Sequence, residues 1–290
     1  VTSLASRFAT ETGGFGVRSL TVADLPRIQT LIHEQPVAHC FLASRLLTPA
    51  GTFAGWGGEA WGYVADDTIT GGLFLGANVV PLATDAQSRA AFAARLRLTG
   101  RRGSSIVGYA EEVLDLWRLI EPGWGKAREI RPSQPLLAID GAPSVAPDPH
   151  VRRVRSDEID VLLPACISMF TEEVGVSPVS GGLMSAYRSR ISELIAEGRA
   201  LAHIEDGRVI FKAEIGAASA QACQVQGVWV EPKLRQRGLA APGMAAVVDY
   251  ARRAIAPTVS LYVNDFNTAA RRTYERVGFR EIGTFATILL

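Results

Sequence analysis

Residues 225–246 read VQGVWVEPKLRQRGLAAPGMAA, and the order of chemistry in this stretch decides how the rest of the chain is read. Gly227-Val228-Trp229-Val230 has the β-branched and aromatic content of a buried strand, and it stops at Pro232, which lacks a ladder donor. Lys233-Leu234-Arg235-Gln236-Arg237-Gly238-Leu239-Ala240 follows as a loop with three cations and one glycine. A helix then begins, with Pro242 tolerated in its first turn. Strand, basic glycine loop and helix start together make an anion cradle. Amides at a helix N-terminus, backed by the helix dipole, bind phosphate without any side chain, and Gly238 lets the backbone come close. An ordinary βα connection with solvated Lys and Arg is the other reading of the same loop.

The spacing Arg235-x-x-Gly238-x-Ala240 resembles the acyl-CoA pyrophosphate loop of the GNAT superfamily of N-acetyltransferases. Neither the dinucleotide fingerprint nor the Walker loop occurs here. A second block, Leu261-Tyr262-Val263-Asn264-Asp265-Phe266-Asn267 through Tyr274-Glu275-Arg276-Val277-Gly278-Phe279, is similar to the GNAT strand, helix and Tyr-x-x-x-Gly-Phe ending. The two blocks stand in the family's order in the C-terminal half.

With 290 residues the chain is long enough for two domains, at roughly 100–200 residues each. Hydrophobic residues make up 48% and the net charge is +1, which leaves no face-wide basic excess for nucleic acid, so any basic site is local. Cys40, Cys166 and Cys223 are odd in number and far apart, which indicates neither a disulfide framework nor a C-x-x-C metal site. His33, His39, His150 and His203 lack metal-ligand spacing, so no metal is expected. No signal-peptide pattern and no apolar run of roughly 18 residues is present, so a cytoplasmic protein without a membrane partner is expected.

Residues 1–16 read as a flexible leader rich in Ser, Thr, Ala and Gly. Gly141-Ala142-Pro143-Ser144-Val145-Ala146-Pro147-Asp148-Pro149 reads as an extended, unpacked linker over 141–150, because three prolines occur without periodicity. The order of elements then restarts. Val151-Arg152-Arg153-Val154-Arg155-Ser156-Asp157 overlays Val17-Arg18-Ser19-Leu20-Thr21-Val22-Ala23, and Gly123-Trp124 answers Gly278-Phe279. The expected architecture is therefore α/β, with mixed sheets in two tandem GNAT-like domains: 17–140, degenerate, and 151–290, catalytic. The pattern is similar to that of tandem GNAT-like proteins of actinobacterial type. The overlay places Thr84-Asp85-Ala86-Gln87 on the cradle, without its glycine or arginines, and Glu112 opposite Asn267. Asp206-Gly207 predicts a hairpin turn, Trp56, Trp61, Trp117 and Trp124 read as core or interface aromatics, and Thr171–Pro178 reads as an acidic loop.

The resemblance implies acetyl-CoA as cosubstrate. Arg235 and Arg237 would flank its pyrophosphate, while amides of Gln236, Arg237, Gly238, Leu239, Ala240 and Ala241 would bind the phosphate oxygens. It further implies that backbone groups of Val228 and Val230 hold the pantetheine arm and thioester carbonyl, joined by Asn267 and, more weakly, Asn264. Tyr274 is the implied general acid: a phenol near ~10 facing a thiolate of pKa near ~8.5 shares a proton at little cost. Deprotonating a lysine-like amine at neutral pH costs about 4–5 kcal/mol, so a carboxylate or water relay is needed. Gln224 and Gln226 stand where many relatives carry a glutamate, which leaves Glu214, Glu172 and Glu173 as candidates. Solvated surface carboxylates are the alternative role for all three.

These features point to direct transfer of an acetyl group to a primary amine in a ternary complex. The acceptor stays open among small molecules, protein lysines and N-termini, and oligomerisation stays open too. A non-catalytic acyl-CoA-binding regulatory protein is the alternative. An aminoacyl-tRNA-dependent transferase, also built from paired GNAT folds, is disfavoured because no extra basic face is present.

Overall fold

The computed structural model describes residues 15–47 and 57–290. The expected leader up to residue 14, and Trp56, lie outside the described residues. Contacts divide the rest into two units, one formed by 15–34, 57–132 and 286–290, the other by 35–47 and 133–285.

In the first unit β1 (Phe15–Ser19), β2 (Glu59–Ala65), β3 (Thr68–Leu75) and β4 (Asn78–Leu82) form an antiparallel meander, and β5 (Ser105–Tyr109) adds parallel to β4. Helix α1 (Leu25–Glu34) follows β1, α3 (Ala86–Thr99) follows β4 and α4 (Ala110–Trp124) follows β5. The core gathers Trp61, Leu73, Phe92, Ile106 and Leu116, with Ala286 and Ile288 from far along the chain. Residues 286–290 are tied in by Arg128 N donating to Leu289 O (2.8 Å) and Leu290 N to Ser104 O (3.0 Å). They belong to β12 (Arg280–Leu289), whose earlier part lies in the second unit. Strand β6 (Glu129–Ile139) is likewise divided, 129–132 in the first unit and 133–139 in the second.

The second unit holds β7 (Arg152–Arg153), β8 (Ala200–Glu205), β9 (Arg208–Ala218), β10 (Ala222–Val230) and β11 (Thr258–Tyr262), in the order β6-β11-β10-β9-β8-β7. Helices α5 (Ile159–Val174) and α6 (Met184–Ala196) line one core with Trp229 and Val209. On the other face α7 (Ala240–Ala254) and α8 (Thr268–Val277) cover Phe211, Ala213, Ile215 and Val259. Helix α2 (Cys40–Leu46), early in sequence, packs here as well: Cys40 is wholly buried against Ala217 and Ala222, its Sγ donating to the Ala222 carbonyl at 3.2 Å. Residues 141–150 were expected to be unpacked but are held within this unit. Ser144 N donates to Val277 O (2.8 Å), Asp148 N to Pro242 O (2.9 Å), and Asp148 Oδ2 lies 2.8 Å from His203 Nδ1. The prolines give an extended path, yet the polar groups beside them find partners along it.

One local feature of this sheet positions the site. β10 and β11 run parallel and pair only over Ala222–Gln224 with Thr258–Ser260. Beyond Gln224 they part, because β11 continues along β6 while β10 follows β9 through register shifts at Gln224/Val225 and Gln226/Trp229. The second shift is a bulge at Gly227, whose φ of +60° disfavours side chains, and a Cβ there would meet Met169 Cε at 2.9 Å. Backbone groups of 225–230 on the β11 side are thus left without a ladder partner. Each parallel strand is followed by a helix, so the starts of α7 and α8 share the same end of the sheet, beside the gap.

Candidate active site

The cradle is built at the end of β10. A 3-10 turn over Pro232–Leu234 ends the strand, Gln236 and Gly238 take positive φ (61° and 79°), and α7 begins at Ala240. The first helical bond of the turn is Gly243 N donating to Leu239 O at 3.1 Å. Amides of 236–241 donate to no acceptor among the described residues, so they form a run of donors aimed outward at a helix start. A Cβ at Gly238 would meet nothing within 4 Å, so the surface above it is open.

Arg235 and Arg237 differ in position. Arg237 is exposed and makes no ion pair among the described residues. Arg235 folds back: its Nη2 donates to Glu172 Oε2 at 2.7 Å and its Nε to the Val230 carbonyl at 3.1 Å. Glu172 is held from its other oxygen by Trp229 Nε1 at 3.3 Å. The Val230 carbonyl is therefore engaged, while Val228 stays half-buried in the gap.

Glu172 and Glu173 are not in a loop. They lie in the last turn of α5, which runs on to a left-handed Gly175 (φ 76°). The early Thr-Glu-Glu run gave no stop signal, and the glycine ends the helix four residues later than a break at Thr171 would. This turn leaves Glu173 within electrostatic reach of Tyr274. Tyr274 is buried in α8, edge-on to Phe279 at 5.9 Å, and its hydroxyl makes no hydrogen bond among the described residues. Burial, and then the charge of Glu173, push its phenol well above the ordinary tyrosine range, so it keeps its proton at any working pH.

Asn267 caps α8, with its Oδ1 accepting from Ala270 N at 3.2 Å, and Asn264 Oδ1 accepts from Gln134 Nε2 at 2.8 Å. Both carbonyl oxygens are used in shaping the turn between β11 and α8, which leaves the amide nitrogens as the groups for a ligand.

Glu214 is enclosed. It is 2% exposed, accepts from Lys212 Nζ, and has Cys166 Sγ at 3.5 Å from Oε1 and Gln226 Nε2 at 3.5 Å from Oε2. Lys212 is 0% exposed and also donates to Cys166 Sγ at 3.3 Å. Burial opposes charge on both, but the pairing outweighs it: Lys212 is held above, and Glu214 below, its ordinary pKa. The carboxylate also lies against the half-buried Gly227 at the bulge, and the exposed Gln226 that reaches it offers an amide, a poor proton carrier. Sequence reading missed Lys212 and Trp229. Lys-x-Glu inside the apolar strand Val209–Ile215 puts two opposite charges on one buried face, and that was the available signal.

The first unit offers a contrast at the corresponding loop. Thr84 N and Oγ1 both donate to Glu112 Oε1 (2.5 and 2.8 Å), Asp85 caps α3 through Ser88 N (2.7 Å), and Arg89 is buried with Nη1 on Thr84 O and Nε on Asp115. Burial pushes the Glu112 carboxyl up despite these donors. Carboxylates of the protein itself thus take the Thr84 and Ser88 amides around this helix start. Among the described residues no group of three His, Cys, Asp or Glu side chains is placed to hold a metal, and no helix is long and apolar enough to cross a membrane.

Residues 185–279 match the Acetyltransferase (GNAT) family, and residues 58–162 match a domain of unknown function, DUF4081. Among solved structures the chain is similar to a GCN5-related N-acetyltransferase from Sphaerobacter thermophilus, at 20% identity and TM-score 0.61, covering 96% of each chain. A tandem GNAT protein from the clavulanic acid biosynthesis pathway aligns at 14% identity and TM-score 0.55, over 95% of this chain and 98% of that one. A GNAT-family acetyltransferase from Colwellia psychrerythraea aligns at 10% identity and TM-score 0.56, over 94% and 99%. At these identities the likeness is one of fold, a tandem GNAT-like α/β architecture. No curated protein matches the sequence.

Proposed function

We propose that this chain, whose C-terminal half carries an acetyltransferase (GNAT) domain, transfers an acetyl group from acetyl-CoA to a primary amine, with the active site in the second unit. The observation that carries the reading is the run of unbonded amides at 236–241, beside the gap between β10 and β11. Those amides, with Arg237, would bind the pyrophosphate. Backbone groups near Val228 would bind the pantetheine arm and polarise the thioester carbonyl. Asn267 and Asn264 would donate their side-chain amides to the same arm.

The amine nitrogen attacks the carbonyl carbon, the C–S bond breaks, and the thiolate takes its proton from Tyr274, which stays protonated until then but, with its pKa raised by burial, gives the proton up at a larger cost than a free phenol would. Glu173, whose charge reaches Tyr274, takes the proton lost by the amine, directly or through water. Glu214 is less suited to this task because Lys212 and burial enclose it. The acceptor is a primary amine on a small molecule or a protein.

Tyr274→Phe is the discriminating variant. Acetyl transfer to a panel of amines should fall by at least about tenfold with CoA affinity unchanged. An unchanged rate would remove the general-acid role. One observation favours the alternative, a regulatory acyl-CoA-binding protein: the carboxylate nearest the β10 bulge is locked in an ion pair. On that reading CoA binds and no amine in the panel is acetylated.

A further inference from the structure

Arg235 has two tasks that exclude each other. Its guanidinium holds Glu172 at 2.7 Å and the Val230 carbonyl at 3.1 Å, which commits two of its three nitrogens to oxygens of the protein. Glu172 in turn is steadied by Trp229 Nε1 at 3.3 Å. The ion pair is partly exposed, with side-chain exposures of 43% and 46%, so it is weak enough to exchange partners. A pyrophosphate carries more charge than a carboxylate and accepts the planar guanidinium fork as well.

We propose that Arg235–Glu172 is a latch that the donor opens, and this rests on the acyl-CoA reading above. A pyrophosphate arriving at amides 236–241 draws Arg235 off Glu172 and off the Val230 carbonyl. Two changes follow from one movement. The Val230 carbonyl becomes available in the gap where the pantetheine arm lies. Glu172 loses its cation, so the end of α5 gains uncompensated negative charge beside Glu173. A cationic amine is then attracted to the site more strongly once the donor is in place. The latch thus couples donor binding to the binding of acceptors that arrive as ammonium ions. The coupling is reciprocal: an ammonium ion that binds Glu172 weakens its hold on Arg235 and tightens donor binding.

Glu172→Gln removes the competitor for Arg235 while keeping an acceptor oxygen for Trp229. CoA should bind this variant about two- to fivefold more tightly than the unaltered protein, the range set by loss of an exposed ion pair. Arg235→Gln should bind CoA more weakly, and adding Glu172→Gln to it should give no further gain. The unaltered protein supplies an independent readout. Trp229 donates to the carboxylate that the latch releases, so CoA should change its emission, and Trp229→Phe should remove that change. Equal or weaker CoA affinity in Glu172→Gln, or CoA binding with unchanged Trp229 emission, would overturn the latch and leave the acyl-CoA reading standing. Failure of the unaltered protein to bind CoA would overturn both.

Discussion

Lys212→Met is expected to destabilise the protein by about 3–5 kcal/mol at neutral pH, as removal of one partner from a buried ion pair does. The loss comes mainly from what is left behind. Glu214, 2% exposed, would keep only Cys166 and a long contact from Gln226, and a buried carboxylate without a cation must either stay charged at high cost or take up a proton. The pH dependence has a definite sign. In the unaltered protein Glu214 sits below its ordinary pKa, so its contribution is present above the unfolded value and fades as pH falls through the folded one. In the variant burial without Lys212 raises the pKa, so stability is lost as pH rises from the ordinary carboxylate range toward the raised value. Denaturant unfolding should therefore show the widest gap between the two proteins near neutrality and a narrower one near pH 4. Lys212→Met combined with Glu214→Leu should recover most of the loss. A small, pH-independent effect of the single change would mean that the pair is not buried as described.

Gly238→Glu should weaken CoA binding by more than about 100-fold. Two effects add. The residue sits at φ +79°, where a side chain costs roughly 1–2 kcal/mol, and the new carboxylate stands within a few ångströms of the expected pyrophosphate, where repulsion at an effective dielectric near 20 is about 4 kcal/mol per charge pair. Gly238→Ala separates the two. It carries the same backbone strain but no charge, and its Cβ meets nothing within 4 Å, so it should lose no more than about tenfold. Calorimetry on the unaltered protein should count one CoA per chain, since the corresponding loop of the first unit lacks the glycine and both arginines and its Thr84 amide is already taken by Glu112. Two sites per chain would mean that this carboxylate yields to the ligand.

Features held in a few consecutive residues were legible in the sequence. The loop from Arg235 to Ala240, the start of α7 before Pro242, the Asn267 cap of α8 and the Asp206-Gly207 turn each depend on local backbone preferences. Features that depend on register or on distant partners were not. The slip between Gln226 and Trp229 sets which backbone groups of β10 face the gap, and no single residue announces it except Gly227. Glu172 and Glu173 looked like loop acids because helix α5 carries no break before Gly175, and what they hold depends on Arg235 and Tyr274, 63 and 101 positions away by residue number. The pairing of Glu112 with Thr84 was hidden for the same reason, although the loss of the glycine and arginines around Asp85 was visible.

The division of β6 and β12 bears on how the chain is made. Most of the first unit is synthesised by residue 132, yet its core includes Ala286 and Ile288. At ~5–20 residues per second the ribosome takes roughly 10–30 s to deliver them. During that interval β5 lacks the partner that residues 286–289 later provide, and an unpaired edge is a template for other chains. Meanwhile β6 is ready early and waits for β11, its partner in the second unit. The unit that carries the cradle can thus assemble on a strand already made, whereas the earlier-made unit is the last to close. Slow translation through the second half would prolong the time for which that edge stays open.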